Sequence, residues 1–514
     1  MAKKSVSRSP KSTSFDAMPL LRLAAGLALV FMGARKMVGY PADLPFGFLL
    51  LIVAGFLIYY TFPEEGPVME WEEAPAKAVK KTSKKTFGSG KTVGWPLYLI
   101  LVLAGLAVYV LYDSHFILAA IFVALIFGLI LFFDLRTGSR VGPEASFDYS
   151  EEKWFWVMIV FALALRFAFM KTFYTGLQND EGNNLTDTLA IMTNHTSPFV
   201  TAWGGTPVLP YYWYVFLFKI FGSKIWVARM GSAIMSVGAI YFFYKWTRLW
   251  LSPLACLIGS FWLAVSWWFF FFSLSPFHNA VLAMEEIGAF YFLEKGFRSG
   301  KRSHFCWAGL MAAGCVMNYV SGRSVPVMLG IMVAAYTVIR GWGFLKTYWK
   351  SLAVTFFSFI WLVGPFIMYA CLSPGEVWGR VQPGWIAQEY NHTGSYFFLV
   401  KSYAWTLVTM WTSNPSVDFR FVVPGMTFMD SVTGVFALIG FCVFLMNWKK
   451  PLFWVLLPGL FFGLSANALA RLGWPTDLAY IQLVRLSIVI PFIFFPATWG
   501  SGCPTCRKRG PKPR

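Results

Sequence analysis

Two adjacent carboxylates, Asp180 and Glu181, stand in the acidic, amide-rich stretch QNDEGNN at residues 178–184, next to a very hydrophobic segment. A carboxylate at a membrane boundary can accept the proton of a hydroxyl group while that hydroxyl attacks another molecule. The stretch therefore indicates Asp180 as a general base, with Glu181 as the neighbour that orients it. A structural alternative remains open, in which Asp180 only caps the helix that follows, because Asp satisfies free N–H groups at helix starts.

The composition places this pair in a membrane protein. Of the 514 residues, 57% are hydrophobic and only 13% are charged, and the mean hydropathy is +0.58. We therefore expect an all-α polytopic membrane protein. The net charge of +19 could suggest a nucleic-acid partner. However, the Lys and Arg residues stand mainly in short runs between apolar segments and at the two ends, so they read as topology signals and no nucleic acid is expected.

Apolar segments near the ~20 residues that cross a bilayer predict about 14 transmembrane helices. They lie at 20–38, 44–62, 95–112, 115–134, 153–171, 224–246, 252–272, 278–295, 304–320, 324–340, 351–372, 432–447, 451–467 and 480–500.

Composition shifts divide the chain into six parts. We expect a disordered basic N-terminus (1–18), two-helix membrane segments (19–62 and 95–134) around a charged cytoplasmic linker (63–94), a catalytic membrane core (153–500) and a basic cytoplasmic tail (501–514).

The positive-inside rule orients these spans in a plasma or inner membrane, with both termini in the cytoplasm. The two long loops of the core, 172–223 and 373–431, then lie together on the outer face. Nucleotide sugars are absent there, so a transferase at this site requires a sugar carried on a polyprenyl phosphate. The segments 185–192 and 208–221 predict amphipathic helices in the membrane interface, in contact with membrane lipids.

Several further motifs follow one another in the core, and together they resemble the GT-C glycosyltransferases. The resemblance is to the group of protein O-mannosyltransferases and the aminoarabinose transferase of lipid A, families 39 and 83. It is carried by Arg166, Asp180-Glu181, Pro207 to Tyr212, Phe221-Gly222, Ala228-Arg229, Asn318 to Pro326, Asp418 to Arg420, Pro424-Gly425, Asp430 and Arg485. It implies transfer of a sugar from a polyprenyl-phosphate donor to a hydroxyl acceptor on a protein, lipid or glycan, and attack opposite the phosphate inverts the anomeric carbon.

The departing phosphate gains negative charge as the glycosidic bond breaks, so an outward-facing cation lowers the barrier. The candidates for binding the donor phosphate are Arg323, with Tyr319 beside it, and Lys219, Arg229 and Arg485. Arg323 is the first choice, because it stands in a short outer loop. Each of these cations could instead form a structural ion pair or extend to the interface.

A second group of residues is assigned to the acceptor side with lower rank. It comprises Tyr211, Tyr212, His278, Asn279, Glu285 and Arg420. His278 and Asn279 stand where many members of the resembled family have a second Asp. Glu285 and its neighbour Glu286 lie inside a predicted span, where pairing with a buried Arg is an equal alternative.

No His, Cys, Asp and Glu cluster has the spacing of metal ligands, and Cys503 and Cys506 lack a second pair. We assign no metal ligand, and the predicted reaction requires no cofactor.

Two other functions stay open at this point. One is a polytopic transporter or flippase for a lipid-linked sugar, which predicts internal repeats and broken helices at mid-membrane. The other is a non-catalytic assembly protein, for which the four-span front part of the chain is the best argument.

Overall fold

The computed structural model describes residues 18–39, 44–62, 149–170, 179–193, 199–201, 206–378, 390–391, 393–408, 410–411, 429–448, 451–468 and 490–500, and single residues at 64, 67, 103 and 106. Within these ranges the chain is helical apart from turns and one isolated bridge between Val200 and Pro207. The predicted all-α architecture is confirmed. The predicted spans at 95–112 and 115–134, most of 480–500, and nearly all of the N-terminus, linker and C-terminal tail lie outside the described residues.

The helices carry the following bounds in chain order. They are α1 (Met18–Gly39), α2 (Leu44–Thr61), α3 (Tyr149–Phe169), α4 (Asn179–Met192), α5 (Leu209–Phe221), α6 (Ile225–Thr247), α7 (Pro253–Val265), α8 (Trp267–Leu274), α9 (His278–Ser299), α10 (Arg302–Val316), α11 (Val325–Arg340), α12 (Gly343–Leu372), α13 (Pro374–Trp378), α14 (Phe397–Val408), α15 (Ser431–Met446), α16 (Pro451–Ala468) and α17 (Ile490–Gly500). A short 3-10 turn, Val320–Ser324, precedes α11.

Four described helical segments are long and apolar enough to cross a bilayer. They are Met18–Lys36, Ile225–Thr247, Val320–Arg340 and Gly343–Leu372. With the shorter apolar helices around them, they make the chain an integral membrane protein.

The segment predicted as a single span, 252–272, is divided in the structure into α7 and α8, which meet at 57°. Ser266 leaves the helical conformation at this break, with φ of −55° and ψ of 125°. Its backbone N–H donates to the carbonyl of Trp262 and ends α7. Its carbonyl accepts from the backbone N–H of Phe270 and so begins α8.

The main core forms where α6, α9 and α10 pack side by side, with α3 and α7 on one flank and α15 to α17 on another. Aromatic rings fill it: Trp246 lies 5.3 Å from Phe290 and 5.9 Å from Phe492 between ring centroids. Gly309 allows α10 to approach α12 closely, because a Cβ at this position would collide with the carbonyl of Thr355. Such close backbone contact is how membrane helices associate without a hydrophobic driving force.

A smaller second core lies beneath α4 and α5. The buried side chains of Leu185 and Ile191 on α4 pack with Tyr211 and Tyr214 of α5, over Val227 of α6 and the apolar side chains of α8. The two helices predicted in the first outer loop are thus present, although α4 begins at Asn179, earlier than the predicted 185. This second core positions the acidic stretch on the membrane helices.

Candidate active site

The acidic pair occupies the first turn of α4, and the two carboxylates have different environments. Asn179 is the first helical residue, so Asp180 and Glu181 follow it inside the turn. Negative side chains here are favoured by the partial positive charge of the helix N-terminus. Glu181 is only 1% exposed, whereas Asp180 keeps an intermediate exposure.

Glu181 forms a buried, bidentate ion pair with Arg229 of α6. The Nε of Arg229 donates to Oε1 at 2.9 Å, and Nη2 donates to Oε2 at 3.1 Å. Its third nitrogen, Nη1, lies 3.4 Å from the carbonyl oxygen of Met170, at the end of α3. The pair therefore fastens α4 to two membrane helices. Arg229, predicted as a phosphate ligand, is placed here as the partner of Glu181.

A hydrogen-bonded chain joins α4 to α5 and α9. The hydroxyl of Tyr211 donates to Oδ1 of Asn184 at 2.9 Å and lies 3.2 Å from Nε2 of His278. Asn184 donates its own amide to the carbonyl of Pro276 at 3.1 Å. The imidazole of His278 also stacks on the ring of Tyr319, with a centroid distance of 5.4 Å and an interplanar angle of 16°.

Tyr319 begins a turn that is anchored on both sides. Its neighbour Asn318 donates to Oε2 of Glu285 at 2.9 Å. Glu285 lies against Gly314, where a Cβ would come within 2.5 Å of the carboxylate. Arg323, further along the turn, donates to the carbonyl of Val377 at 3.4 Å. Arg323 thereby connects the turn to α13, the short helix that follows α12.

The remaining predicted site residues are dispersed. Tyr212 is 38% exposed on α5, and Lys219 is exposed in the last turn of that helix. Asn279 is buried beside His278 at the start of α9. Arg420 and Arg485 lie outside the described residues.

Asn184 is a site residue that the sequence analysis did not select. The spacing in the sequence could have indicated it, because Asn184 stands four residues after Asp180 and therefore shares one face of a helix with it. What could not be read from the sequence is that Tyr211 and Pro276 are its partners.

Among the described residues, no group of three His, Cys, Asp or Glu side chains is close enough to hold a metal ion. The groups that the described residues bring together here are carboxylates, cationic side chains and hydrogen-bonded rings.

We expect the ion pair to control the stability of the site. Replacing Arg229 by Met leaves Glu181 buried without its cation, and the free energy of unfolding should fall by about 3–5 kcal/mol. Adding Glu181→Gln to this variant should restore a large part of that loss, because no buried charge remains. Thermal unfolding of the detergent-solubilised protein measures both effects. A double variant as unstable as the sum of the two single variants would contradict the pairing.

Part of the chain matches a known family model. Residues 205–369, about a third of the chain, match the family described as dolichyl-phosphate-mannose-protein mannosyltransferase. The matched segment contains Tyr211, Arg229, His278 and the turn with Arg323, and it begins after α4. A comparison with curated protein sequences finds no match.

Three solved structures are similar in fold. ArnT from Cupriavidus metallidurans bound to undecaprenyl phosphate has 14% identity and a TM-score of 0.46, covering 68% of this chain and 60% of that one. The apo state of the same protein has the same identity and coverage and a TM-score of 0.47. The archaeal oligosaccharyltransferase AglB from Archaeoglobus fulgidus, in complex with an inhibitory peptide and a dolichol-phosphate, has 13% identity and a TM-score of 0.42, covering 68% of this chain and 50% of that one.

This chain therefore spans between half and three fifths of the length of these structures. The family match confirms the resemblance predicted from the sequence: over residues 205–369 the chain carries the pattern of the mannosyltransferase family.

Proposed function

We propose that the protein is a membrane glycosyltransferase that moves a sugar from a polyprenyl-phosphate donor to a hydroxyl group of a protein, lipid or glycan. The observation that carries this proposal is the difference between the two adjacent carboxylates. Glu181 is buried and fully engaged with Arg229. Asp180, one residue earlier, keeps part of its surface open, so an acceptor hydroxyl can reach it.

In the proposed reaction, Asp180 takes the proton of the acceptor hydroxyl as its oxygen bonds to the anomeric carbon. The bond between that carbon and the phosphate oxygen breaks, and its electron pair leaves with the polyprenyl phosphate. Attack from the side opposite the phosphate inverts the configuration. The phosphate departs as an anion without taking up a proton, so the step is written without a cofactor.

The donor class is supported by the family description, which names a dolichyl-phosphate-linked mannose. On the protein side, Arg323 and Lys219 remain the proposed cations for the phosphate. Arg323 stands in the turn next to Tyr319, whose ring stacks on His278. Lys219 is exposed at the end of α5, the helix that packs on α4. A charge near the leaving oxygen stabilises the transition state more than the ground state.

The proposed orientation places α4 and α5 on the outer face and both termini in the cytoplasm. It is supported by the basic residues at the opposite ends of the helices, such as Arg298 at the end of α9 and Lys301 before α10. A site on the outer face has access to polyprenyl-linked sugars but not to nucleotide sugars.

The central prediction concerns Asp180→Asn. The substitution keeps the size of the side chain but removes the proton acceptor, so turnover should fall by roughly 10²-fold or more while the donor still binds. Transfer assays with a polyprenyl-phosphate sugar in proteoliposomes measure the turnover. If Asp180 only stabilises the start of α4, the variant should stay active, because Asn keeps the size and most of the hydrogen bonds of the side chain.

Asp430→Asn is the matched control for that experiment. Asp430 is an N-cap, since its carboxylate accepts from the backbone N–H of Thr433 at 2.9 Å, at the start of α15. Its Asn variant should keep its turnover within about twofold. Normal transfer by a folded Asp180→Asn protein would remove the proposed base.

A second prediction concerns the donor. Arg323→Ala and Lys219→Ala should each lower kcat/KM for the donor by about 10- to 150-fold, which corresponds to about 1.5–3 kcal/mol for one charge-assisted contact. Titration of the donor in the same transfer assay gives these values. If neither variant changes donor use, the phosphate is bound elsewhere.

A third prediction tests the orientation. In a chain without its native cysteines, Thr186→Cys on the exposed side of α4 should react with a membrane-impermeant thiol reagent in intact cells. Lys301→Cys, in the turn between α9 and α10, should react only after the membrane is opened. Reversed labelling would place the site inward, where nucleotide sugars could serve as donors.

A further inference from the structure

We infer that Tyr211 and His278 are positioning residues, which hold α4 and therefore Asp180 in the orientation needed for proton transfer. The inference rests on the proposed function, since it concerns how the proposed base is aimed. The two side chains lie beside the acidic helix, and they belong to α5 and α9. A tyrosine or a histidine has many uses in proteins, so this positioning role has to be argued from their contacts.

The direction of each hydrogen bond follows from the amide of Asn184. Its Nδ2 donates to the carbonyl of Pro276, so its Oδ1 is the atom that faces Tyr211. The hydroxyl of Tyr211 therefore donates its proton to Asn184. The same hydroxyl oxygen can then only accept from His278, which places a proton on Nε2 of the imidazole. In this series of hydrogen bonds every donor meets an acceptor, and the donors point from His278 through Tyr211 and Asn184 to Pro276.

The imidazole of His278 is held on two sides. The ring of Tyr211 meets it edge-on, with a centroid distance of 5.1 Å and an angle of 79°. The ring of Tyr319 stacks on its face. Tyr319 is in turn fixed by its neighbour Asn318, which donates to Glu285 inside α9. The series of contacts thus runs from Glu285 in α9 to Asn184 on α4.

Asn184 is well placed to transmit this constraint to Asp180. The two residues are four apart on one helix and therefore lie on the same face, one turn from each other. Glu181 provides the second attachment of α4, through Arg229. Two attachments within the first turn and a half fix the tilt of the helix as well as its rotation. An error of about 1 Å in the position of a catalytic group can cost about 10²-fold in rate.

Burial distinguishes this role from direct catalysis. Tyr211 is 1% exposed and His278 is 7% exposed, so neither side chain has the access that Asp180 keeps. A residue that exchanges a proton with the acceptor must come within about 3 Å of it. Tyr211 and His278 therefore act through α4, by way of Asn184.

The first test removes one hydroxyl. Tyr211→Phe keeps the ring but breaks the link between Asn184 and His278, and kcat should fall about tenfold while KM for donor and acceptor changes less than twofold. The matched control is Tyr214→Phe, on the same helix. Tyr214 is equally buried, and its hydroxyl contacts Ser232 at 2.9 Å and the carbonyl of Phe277 at 3.2 Å. The control should lose similar thermal stability but keep its kcat within about twofold.

The second test is a double-mutant cycle with the base. If Tyr211 acts by aiming Asp180, the variant that combines Tyr211→Phe with Asp180→Asn should be no slower than Asp180→Asn alone. His278→Gln, which retains a donor for Tyr211, should keep more turnover than His278→Leu.

Additive losses in the double variant, or full turnover of Tyr211→Phe, would overturn the positioning role. If Asp180→Asn itself transfers normally, the proposed base is wrong. If Asp180→Asn is inactive and Tyr211→Phe is fully active, only the positioning role is wrong.

Discussion

The buried ion pair between Glu181 and Arg229 is the interaction on which the site depends. Removing two charges from water is costly, and the cost is recovered only when both hydrogen bonds of the fork are made. The pair achieves this with two contacts near 3 Å, between α4 and α6. A polar helix of 14 residues is marginal in isolation. Its order in this protein therefore comes from this pair, from the chain through Tyr211 and from the apolar core beneath it.

Much of the local structure could be predicted from the sequence, because periodicity and composition are local properties. The all-α membrane character, the helix at 208–221 and the acidic stretch followed by a helix all rest on such signals. The partners could not be predicted. Arg229 is 48 residues from Glu181, and Tyr211 is 67 residues from His278. No spacing rule connects residues so far apart. The break at Ser266 was also missed, since the segment around it is uniformly apolar.

The front part of the chain bears on the question of a separate assembly role. The hairpin of α1 and α2 packs directly on α12 of the core. The indole N–H of Trp361 donates to the carbonyl of Leu51 at 2.6 Å, and the same ring fills the space that a Cβ at Gly55 would need. In a membrane such close contact requires small residues and satisfied polar groups. The hairpin is therefore built into the same helical body as the proposed site, and its presence does not argue for a non-catalytic protein.

The adjacency of the two acids has a geometric consequence that explains their different environments. Consecutive residues of an α-helix point about 100° apart, because one turn takes 3.6 residues. Two neighbouring carboxylates therefore leave the helix in different directions. Glu181 pairs with Arg229 and is buried, whereas Asp180 leaves the helix about 100° away from it and keeps an intermediate exposure. The helix thus presents one acid to the buried Arg229 and leaves the other partly exposed, and the core beneath α4 keeps this arrangement in place.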